Sequence, residues 1–178
     1  KADPHSSANP VVASFVTAYA RLELYKVLEP LGKRVLYFDT DSCMYIHDPD
    51  GYNVPIISSR LGKWTDEVPK GRIVRYVALG PKNYGYEYIE NGELHQKCKV
   101  KGITLDYNAT QQVNFNTMVD CVKDRHHYST VVEYASRIKR HKDRTVTSEK
   151  QVKTFRSVYT KRIVVENHMT VPYGYLHE

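Results

Sequence analysis

The sequence predicts an α+β fold, and three observations lead to this class. Apolar residues repeat with helical spacing near the start, the middle holds β-rich runs between turn signals, and the last part mixes helical and extended patterns. At 178 residues the chain can bury one substantial core, or one compact domain with a smaller appendage. No apolar run approaches the roughly 20 residues that cross a bilayer, so no membrane partner is expected.

The first predicted element is a helix that begins at Asn9 and Pro10. Asn9 can cap the helix, and Pro10 suits the first helical position, where its missing N–H costs nothing. Pro30-Leu31-Gly32 predicts its end. Apolar residues recur along it at alternating spacings of four and three and define one apolar face: Val11, Phe15, Ala18, Leu22 and Tyr25.

Two hairpins and a strand are predicted next. Residues 34–38 and 43–47 flank a tight acidic turn. Residues 84–89 and 94–101 flank Asn91-Gly92, a pair that suits a type I′ turn. A single strand over residues 72–79 lies between the hairpins, so we expect an antiparallel sheet.

The pattern changes from residue 106 onward. Residues 113–124 and 130–142 predict helices, while residues 150–165 are compatible with a strand or a helix. Residues 1–90 carry 11 basic and 11 acidic side chains, and residues 91–178 carry 15 and 9, so the net charge of +6 lies in the second half. This excess is either a solvated face or a binding surface for a polyanion, of which nucleic acid is the commonest. We therefore expect a boundary near residues 103–110.

The three cysteines are widely spaced and form no CxxC pair. This spacing indicates neither a disulfide framework nor a zinc site, and it favours a reducing, intracellular compartment.

The string VLYFDTDSCMYI places Asp39 and Asp41 between two apolar runs. A charge in such a place costs several kcal/mol unless an opposite charge meets it. Two neighbouring carboxylates repel each other unless a divalent cation neutralises them, and hard oxygen ligands suit Mg²⁺. The triplet D-x-D by itself favours an acidic surface turn, so its surroundings must decide.

Those surroundings resemble family B DNA polymerases. The string YFDTDS is similar to motif C of that family, usually written YxDTDS, which sits on a hairpin of the palm domain. The matching residues are Tyr37, Asp39, Thr40, Asp41 and Ser42.

Further matches follow in the order that this family requires. GPKNYGY resembles its K-x-Y motif with Lys82 and Tyr84, and KCKVKGI resembles the strand after that motif, with Lys101. The helix before motif C and the ending TFRSVYTKRIVVENHMTVPYGY are similar to protein-primed polymerases of Maverick/Polinton-type transposons. The resemblance covers nearly the whole chain.

The resemblance implies a palm–thumb portion of a polymerase. Residues 1–105 would be the C-terminal part of the palm, with an antiparallel sheet and packing helices, and residues 106–178 a smaller mixed helix/strand thumb. The implied reaction is nucleotidyl transfer, in which a primer 3′-hydroxyl attacks a deoxynucleoside triphosphate at a two-metal Mg²⁺ site. Asp41 is the first candidate for a catalytic metal ligand, and Asp39 is the second.

The resemblance also implies partners and a location. In that family the lysine and tyrosine of K-x-Y contact the primer strand, so Lys82, Tyr84 and Lys101 are the candidate DNA-binding residues. The expected partners are primer–template DNA, deoxynucleoside triphosphates and a terminal priming protein, and the expected location is the nucleus.

The chain departs from the family in two motifs. It contains neither the motif A string DxxSLYP, which supplies another metal-binding aspartate, nor the fingers string KxxxNSxYG. On the family's chain order both would precede Lys1. We therefore expect the second carboxylate to lie outside this chain and the 178 residues alone to be inactive.

Two other functions are compatible with the same residues. One is a non-catalytic nucleic-acid-binding module held by the basic second half. The other is a glycosyltransferase piece, in which a D-x-D turn holds a metal and a nucleotide diphosphate.

Overall fold

The computed structural model describes residues 8–53, 57–124, 127–158, 162–166, 169–172 and 174. These residues form both helices and antiparallel strand pairs, so the α+β prediction is confirmed. The chain divides into two compact units, Lys1–Glu67 and Val68–Glu178. This division falls before the predicted boundary near residues 103–110, and the palm and thumb assignment stays a prediction.

The first unit contains one helix and one hairpin. Helix α1 (Pro10–Leu31) begins as predicted, because Asn9 Oδ1 accepts a hydrogen bond from the Val12 N–H at 3.1 Å. A short 3₁₀ turn (Gly32–Arg34) leads into β1 (Val35–Asp39), which pairs with β2 (Ser42–Tyr45). α1 contacts β2.

The predicted apolar face of α1 is exposed. Phe15 and Leu22 are 58% and 55% exposed. The helix buries Leu24, Val27 and Leu31 instead, which lie on a different side of its last turns. Helical periodicity therefore predicted the element correctly but not the side that is buried within this unit.

The second unit opens with a three-stranded antiparallel sheet. Its order is β3 (Gly71–Gly80), β4 (Asn83–Glu90) and β5 (Glu93–Val100). Asn91 and Gly92, between β4 and β5, both have positive φ, at 52° and 82°. The type I′ turn requires positive φ at both positions, so the predicted hairpin is confirmed.

The rest of the second unit holds two short helices and two strand pairs. They are α2 (Tyr107–Gln112), α3 (Phe115–Lys123), β6 (Thr130–Arg140), β7 (Val146–Phe155), β8 (Arg162–Val164) and β9 (Thr170–Pro172). β6 pairs with β7, and β8 pairs with β9. Among the described helices, none is both long and apolar enough to cross a bilayer.

The predicted helix over residues 130–142 is wrong, because these residues form strand β6. Val132 and Tyr134 are buried, whereas Val131 and Glu133 are exposed. This alternation of buried and exposed residues is typical of a strand with one buried face. β-Branched residues favour that conformation. Residues 146–155 form the partner strand. Of residues 150–165, where strand and helix were both open, 150–155 and 162–164 are therefore strands, and 159–161 lie outside the described residues.

The core of the second unit lies where α3, the sheet and the β6–β7 pair meet. α3 packs on β3 and β4, and α2 contacts β6. Tyr134 adds a polar contact, because its hydroxyl donates to the Thr104 carbonyl at 2.8 Å. The buried residues are Val77, Leu79, Ala109, Val113, Phe115, Met118, Cys121, Val132, Tyr134 and Phe155.

Candidate functional site

The carboxylate turn joins β1 to β2. Asp39 is the last residue of β1 and pairs with Ser42, which leaves Thr40 and Asp41 as the two turn residues. Thr40 adopts a positive φ of 55°, and the Asp41 N–H donates to the Asp39 carbonyl at 2.6 Å. A β-branched residue is strained in this region, so the surrounding hydrogen bonds must hold the turn.

Two hydroxyl groups supply these bonds. Thr40 Oγ1 donates to Asp39 Oδ1 at 3.1 Å, and Ser42 Oγ donates to the Asp39 carbonyl at 3.1 Å. Thr40 and Ser42 therefore position the turn and Asp39.

The two carboxylates differ in exposure. Asp41 is exposed at the tip of the turn, and Asp39 is half-buried behind it. Carboxylate oxygens suit Mg²⁺, which takes few protein ligands and keeps water or phosphate oxygens. The donor chemistry of Asp39 and Asp41 fits part of such a site. In the described part of the chain, no three or more His, Cys, Asp or Glu side chains are grouped to hold a metal ion.

The candidate DNA contacts lie in the second unit. Lys82 lies in the turn between β3 and β4 with a φ of 60°, and Lys101 directly follows β5. Asn83, the first residue of β4, pairs with Val100, and its side-chain oxygen accepts a hydrogen bond from the Lys101 N–H at 2.7 Å. The structure therefore brings two of the predicted basic residues, Lys82 and Lys101, to one end of the sheet, where both are exposed.

Tyr84 is placed differently from these lysines. It is only 8% exposed, and the centroid of its ring lies 6.4 Å from that of Tyr76 and 6.5 Å from that of Tyr86. Little of its surface is available to a primer strand. The contact between Tyr84 and DNA stays a prediction.

Lysines on β5 cover the tyrosines of β4. Lys99 Nζ lies 5.9 Å from the centre of the Tyr84 ring, and Lys97 Nζ lies 5.9 Å from that of Tyr86. Cations over aromatic faces attract the ring electrons. Sequence reasoning missed these pairs, although the Asn91-Gly92 turn sets which residues of the hairpin lie opposite each other.

An ion pair between an exposed arginine and a buried glutamate was also missed. Arg75 Nη1 lies 3.0 Å from Glu87 Oε2, and Gln96 donates to the other carboxylate oxygen at 3.3 Å. The Glu87 side chain is 5% exposed, so its charge depends on these partners. The three residues stand on three different strands, and no local pattern in the sequence could reveal them.

Cys98 is close to this carboxylate. Burial, and secondly the Glu87 charge, raise the pKa of the Cys98 thiol to about 11. Both effects disfavour the thiolate, which is the nucleophilic form of cysteine. Cys98 is therefore not an activated nucleophile.

The β6–β7 pair forms a basic ribbon, which we define as residues 137–150. Lys139 pairs with Glu149 at 2.8 Å and Lys150 pairs with Glu133 at 2.7 Å. The exposed cations Arg140, Lys142 and Arg144, near the turn of the ribbon, make no ion pair with a described residue. Part of the positive charge predicted from the sequence thus lies at one end of this hairpin.

Comparison with protein-family models, with curated proteins and with solved structures found no match to this chain. The proposals below therefore depend on the residues and their geometry, together with the motif resemblance.

Proposed function

We propose that this chain is a palm–thumb portion of a DNA-directed DNA polymerase of the protein-primed family B type. In this proposal it supplies a metal-binding carboxylate and primer–template contacts to nucleotidyl transfer. The observation that carries the proposal is the hairpin turn Asp39-Thr40-Asp41. Its first carboxylate accepts a hydrogen bond from Thr40, and its second is exposed at the tip.

Asp41 would be the direct ligand of a divalent metal, and Asp39 would act beside it. When bound, the metal would lower the pKa of the primer 3′-hydroxyl and stabilise negative charge on the phosphate oxygens. Thr40 and Ser42 contribute by holding the turn, because a loosely held ligand would lose the geometry that the metal needs.

Lys82 and Lys101 support a role in holding the primer–template duplex. Both are exposed at one end of the β3–β5 sheet, and the Asn83 hydrogen bond keeps the Lys101 backbone in place there. An ammonium group meets a phosphate as a point charge, without reading sequence. Such contacts suit an enzyme that copies any template. The nuclear location and the priming protein belong to the same proposal.

The test uses Mn²⁺ as a paramagnetic substitute for Mg²⁺ with the complete 178-residue chain. We expect Mn²⁺ to broaden the backbone amide signals of residues 39–42 in NMR spectra, and Asp41→Asn to remove most of this broadening. Asp50→Asn is the matched control, because Asp50 is also an exposed turn aspartate. Equal broadening in the two variants, or none at residues 39–42, would contradict the metal role.

Primer extension is the second measurement. We expect no nucleotide incorporation by the isolated chain on a primed template with Mg²⁺, because two carboxylates form only part of a two-metal site. Incorporation that Asp41→Ala abolishes would show that the chain carries a complete site.

A non-catalytic nucleic-acid-binding module is the second candidate function, and the basic ribbon favours it. Its exposed cations Arg140, Lys142 and Arg144 could neutralise phosphates without any carboxylate turn. In that case duplex binding would fall steeply with salt, while Asp41→Asn would change neither binding nor its response to divalent metal. The Mn²⁺ experiment therefore separates the two candidates.

A further inference from the structure

A surface pocket of about 370 Å³ lies between β3 and α3 in the second unit. Its volume is near the lower end of the roughly 300–1,000 Å³ typical of ligand pockets. The inner lining is apolar, and two exposed cations stand at its edge. The lining residues are Arg75, Tyr76, Val77, Phe115, Val119, Val122 and Lys123.

Arg75 is held in place by contacts with Phe115 and Glu87. Its guanidinium lies 4.8 Å above the Phe115 ring, and Nη1 pairs with the buried Glu87 at 3.0 Å. The Arg75 side chain nevertheless remains 56% exposed. A guanidinium carries five N–H donors in a rigid fork, and Glu87 uses only one edge of it. The Arg75 side chain is already fixed by these contacts, so it can pair with a carboxylate of a ligand at little further cost in conformational entropy.

Lys123 supplies the other positive charge. It is exposed in the last turn of α3 and makes no ion pair with a described residue. Its acidic neighbour Asp124 is hydrogen-bonded to the His127 ring at 2.8 Å. One cation thus stands on each side of the apolar lining.

We propose that this pocket binds a short segment of a partner protein that presents an apolar side chain next to a carboxylate. The apolar side chain would cover Val119 and Val122, and burial of apolar surface supplies the driving force. The carboxylate would meet Arg75 and Lys123, which supply the charge complementarity. A phosphate backbone would use only the cations and leave the apolar lining in water. The proposal uses residues of the second unit alone and does not depend on the carboxylate turn.

The test measures fluorescence anisotropy of a labelled peptide, Gly-Ser-Glu-Leu-Phe-Glu-Gly-Ser, on the complete chain. We expect saturable binding. Replacing both glutamates of the peptide by glutamine, or Leu and Phe by serine, should each weaken binding by about tenfold or more, because both features are required.

Protein variants locate the site. Lys123→Glu should weaken binding of the acidic peptide by about tenfold, since it turns an attraction into a repulsion. It should also improve binding of the peptide with lysine in place of glutamate. Lys142→Glu makes the same charge change on the basic ribbon and should alter binding by less than about twofold.

Two results would overturn the proposal. Equal weakening by Lys123→Glu and Lys142→Glu would show that the peptide responds only to net charge. Saturable binding of octanoate without binding of the peptide would show that the pocket takes a small amphiphile and not a protein segment. Circular dichroism spectra of each variant confirm that the fold is retained, and an unfolded Lys123→Glu variant is replaced by Lys123→Gln, with an expected loss of about threefold.

Discussion

Asn83 connects the beginning of β4 with the residue that follows β5, because its side-chain oxygen accepts a hydrogen bond from the Lys101 N–H at 2.7 Å. The bond acts across the end of the sheet where Lys82 also lies. It therefore holds together the backbone segments that carry Lys82 and Lys101, the two candidate phosphate-binding lysines.

Asn83→Ala removes this bond. We expect a loss of about 1 kcal/mol in the free energy of unfolding, the usual net value of one hydrogen bond, measured by urea denaturation. Amide exchange at Lys101 should accelerate. Asn108→Ala is the control, since Asn108 is exposed on α2, and should leave both quantities unchanged. Unchanged exchange at Lys101 in Asn83→Ala would contradict the assigned role.

Lys82→Ala and Lys101→Ala test the DNA contacts through their salt dependence. Each should weaken binding of a primed duplex and lower the slope of log K against log salt by about 1, because one phosphate contact is lost. Lys70→Ala is the matched control, since Lys70 is exposed just before β3, at the opposite end of the sheet. An equal effect of all three variants would mean that only net charge matters.

Arg75→Met tests the ion pair between Arg75 and the buried Glu87. Removing the arginine leaves the Glu87 carboxylate buried without its charge partner, so we expect a loss of about 3 kcal/mol in the free energy of unfolding. The double variant Arg75→Met/Glu87→Met should recover most of that loss. Lys139→Met breaks the exposed Lys139–Glu149 pair and should cost less than about 1 kcal/mol. Urea denaturation of the four proteins, wild type included, completes the comparison.

Cys98 gives a prediction in alkaline solution. Its pKa of about 11 in the folded protein lies above the ordinary 9.0, so the unfolded chain loses this proton first. The protonated Cys98 thiol therefore makes its full contribution to the stability of the folded protein below pH 9. This contribution is lost as the pH rises from 9 to 11. Glu87→Gln should lower the pKa of Cys98, though not to its ordinary value, because burial is the larger cause.

Alkylation by iodoacetamide, followed on the peptide that contains Cys98, measures this pKa. Cys121 is the internal control, because burial raises its pKa without a contribution from Glu87. A pKa of Cys98 that does not respond to Glu87→Gln would show that burial alone is responsible.

Gly85 tests the packing of α3 on the sheet. An added Cβ would lie 3.0 Å from Met118 Sδ and 3.1 Å from Cys98 Sγ, so Gly85→Ala forces these side chains to move. We expect a loss of about 1–3 kcal/mol in the free energy of unfolding. Combining it with Cys98→Ala removes one of the close contacts, so the double variant should lose less than the sum of the single variants. Additive losses would mean that Cys98 does not limit the space.

Local signals in the sequence predicted most of the elements. Asn9 and Pro10 predicted the start of α1, and Asn91-Gly92 predicted the β4–β5 hairpin, because capping and turn geometry depend on a few neighbouring residues. The helix predicted over residues 130–142 is wrong, and the alternation of Val132 and Tyr134 in strand β6 is interrupted by a bulge between Tyr134 and Arg137. The bulge shifts the side chains that follow by one position and hides the period of two.

Features that depend on distant residues were not predicted. The hairpin turn at Asp39 and Asp41 was predicted from neighbouring residues, and the structure has this turn. Contacts between strands were not predicted. The burial of Tyr84 and the Arg75–Glu87 pair depend on neighbouring strands, which residue types alone do not specify.

The shared core of the second unit has a consequence for dissecting the chain. Val77 and Leu79 precede residue 105 and pack in the same cluster as Phe115, Val132 and Phe155, which follow it. A fragment that stops at residue 105 would leave Val77 and Leu79 facing water and would tend to aggregate. Limited proteolysis should instead release a resistant piece that starts near Val68. That piece is the sensible starting point for recombinant expression of the candidate DNA-binding residues Lys82 and Lys101 without the first unit.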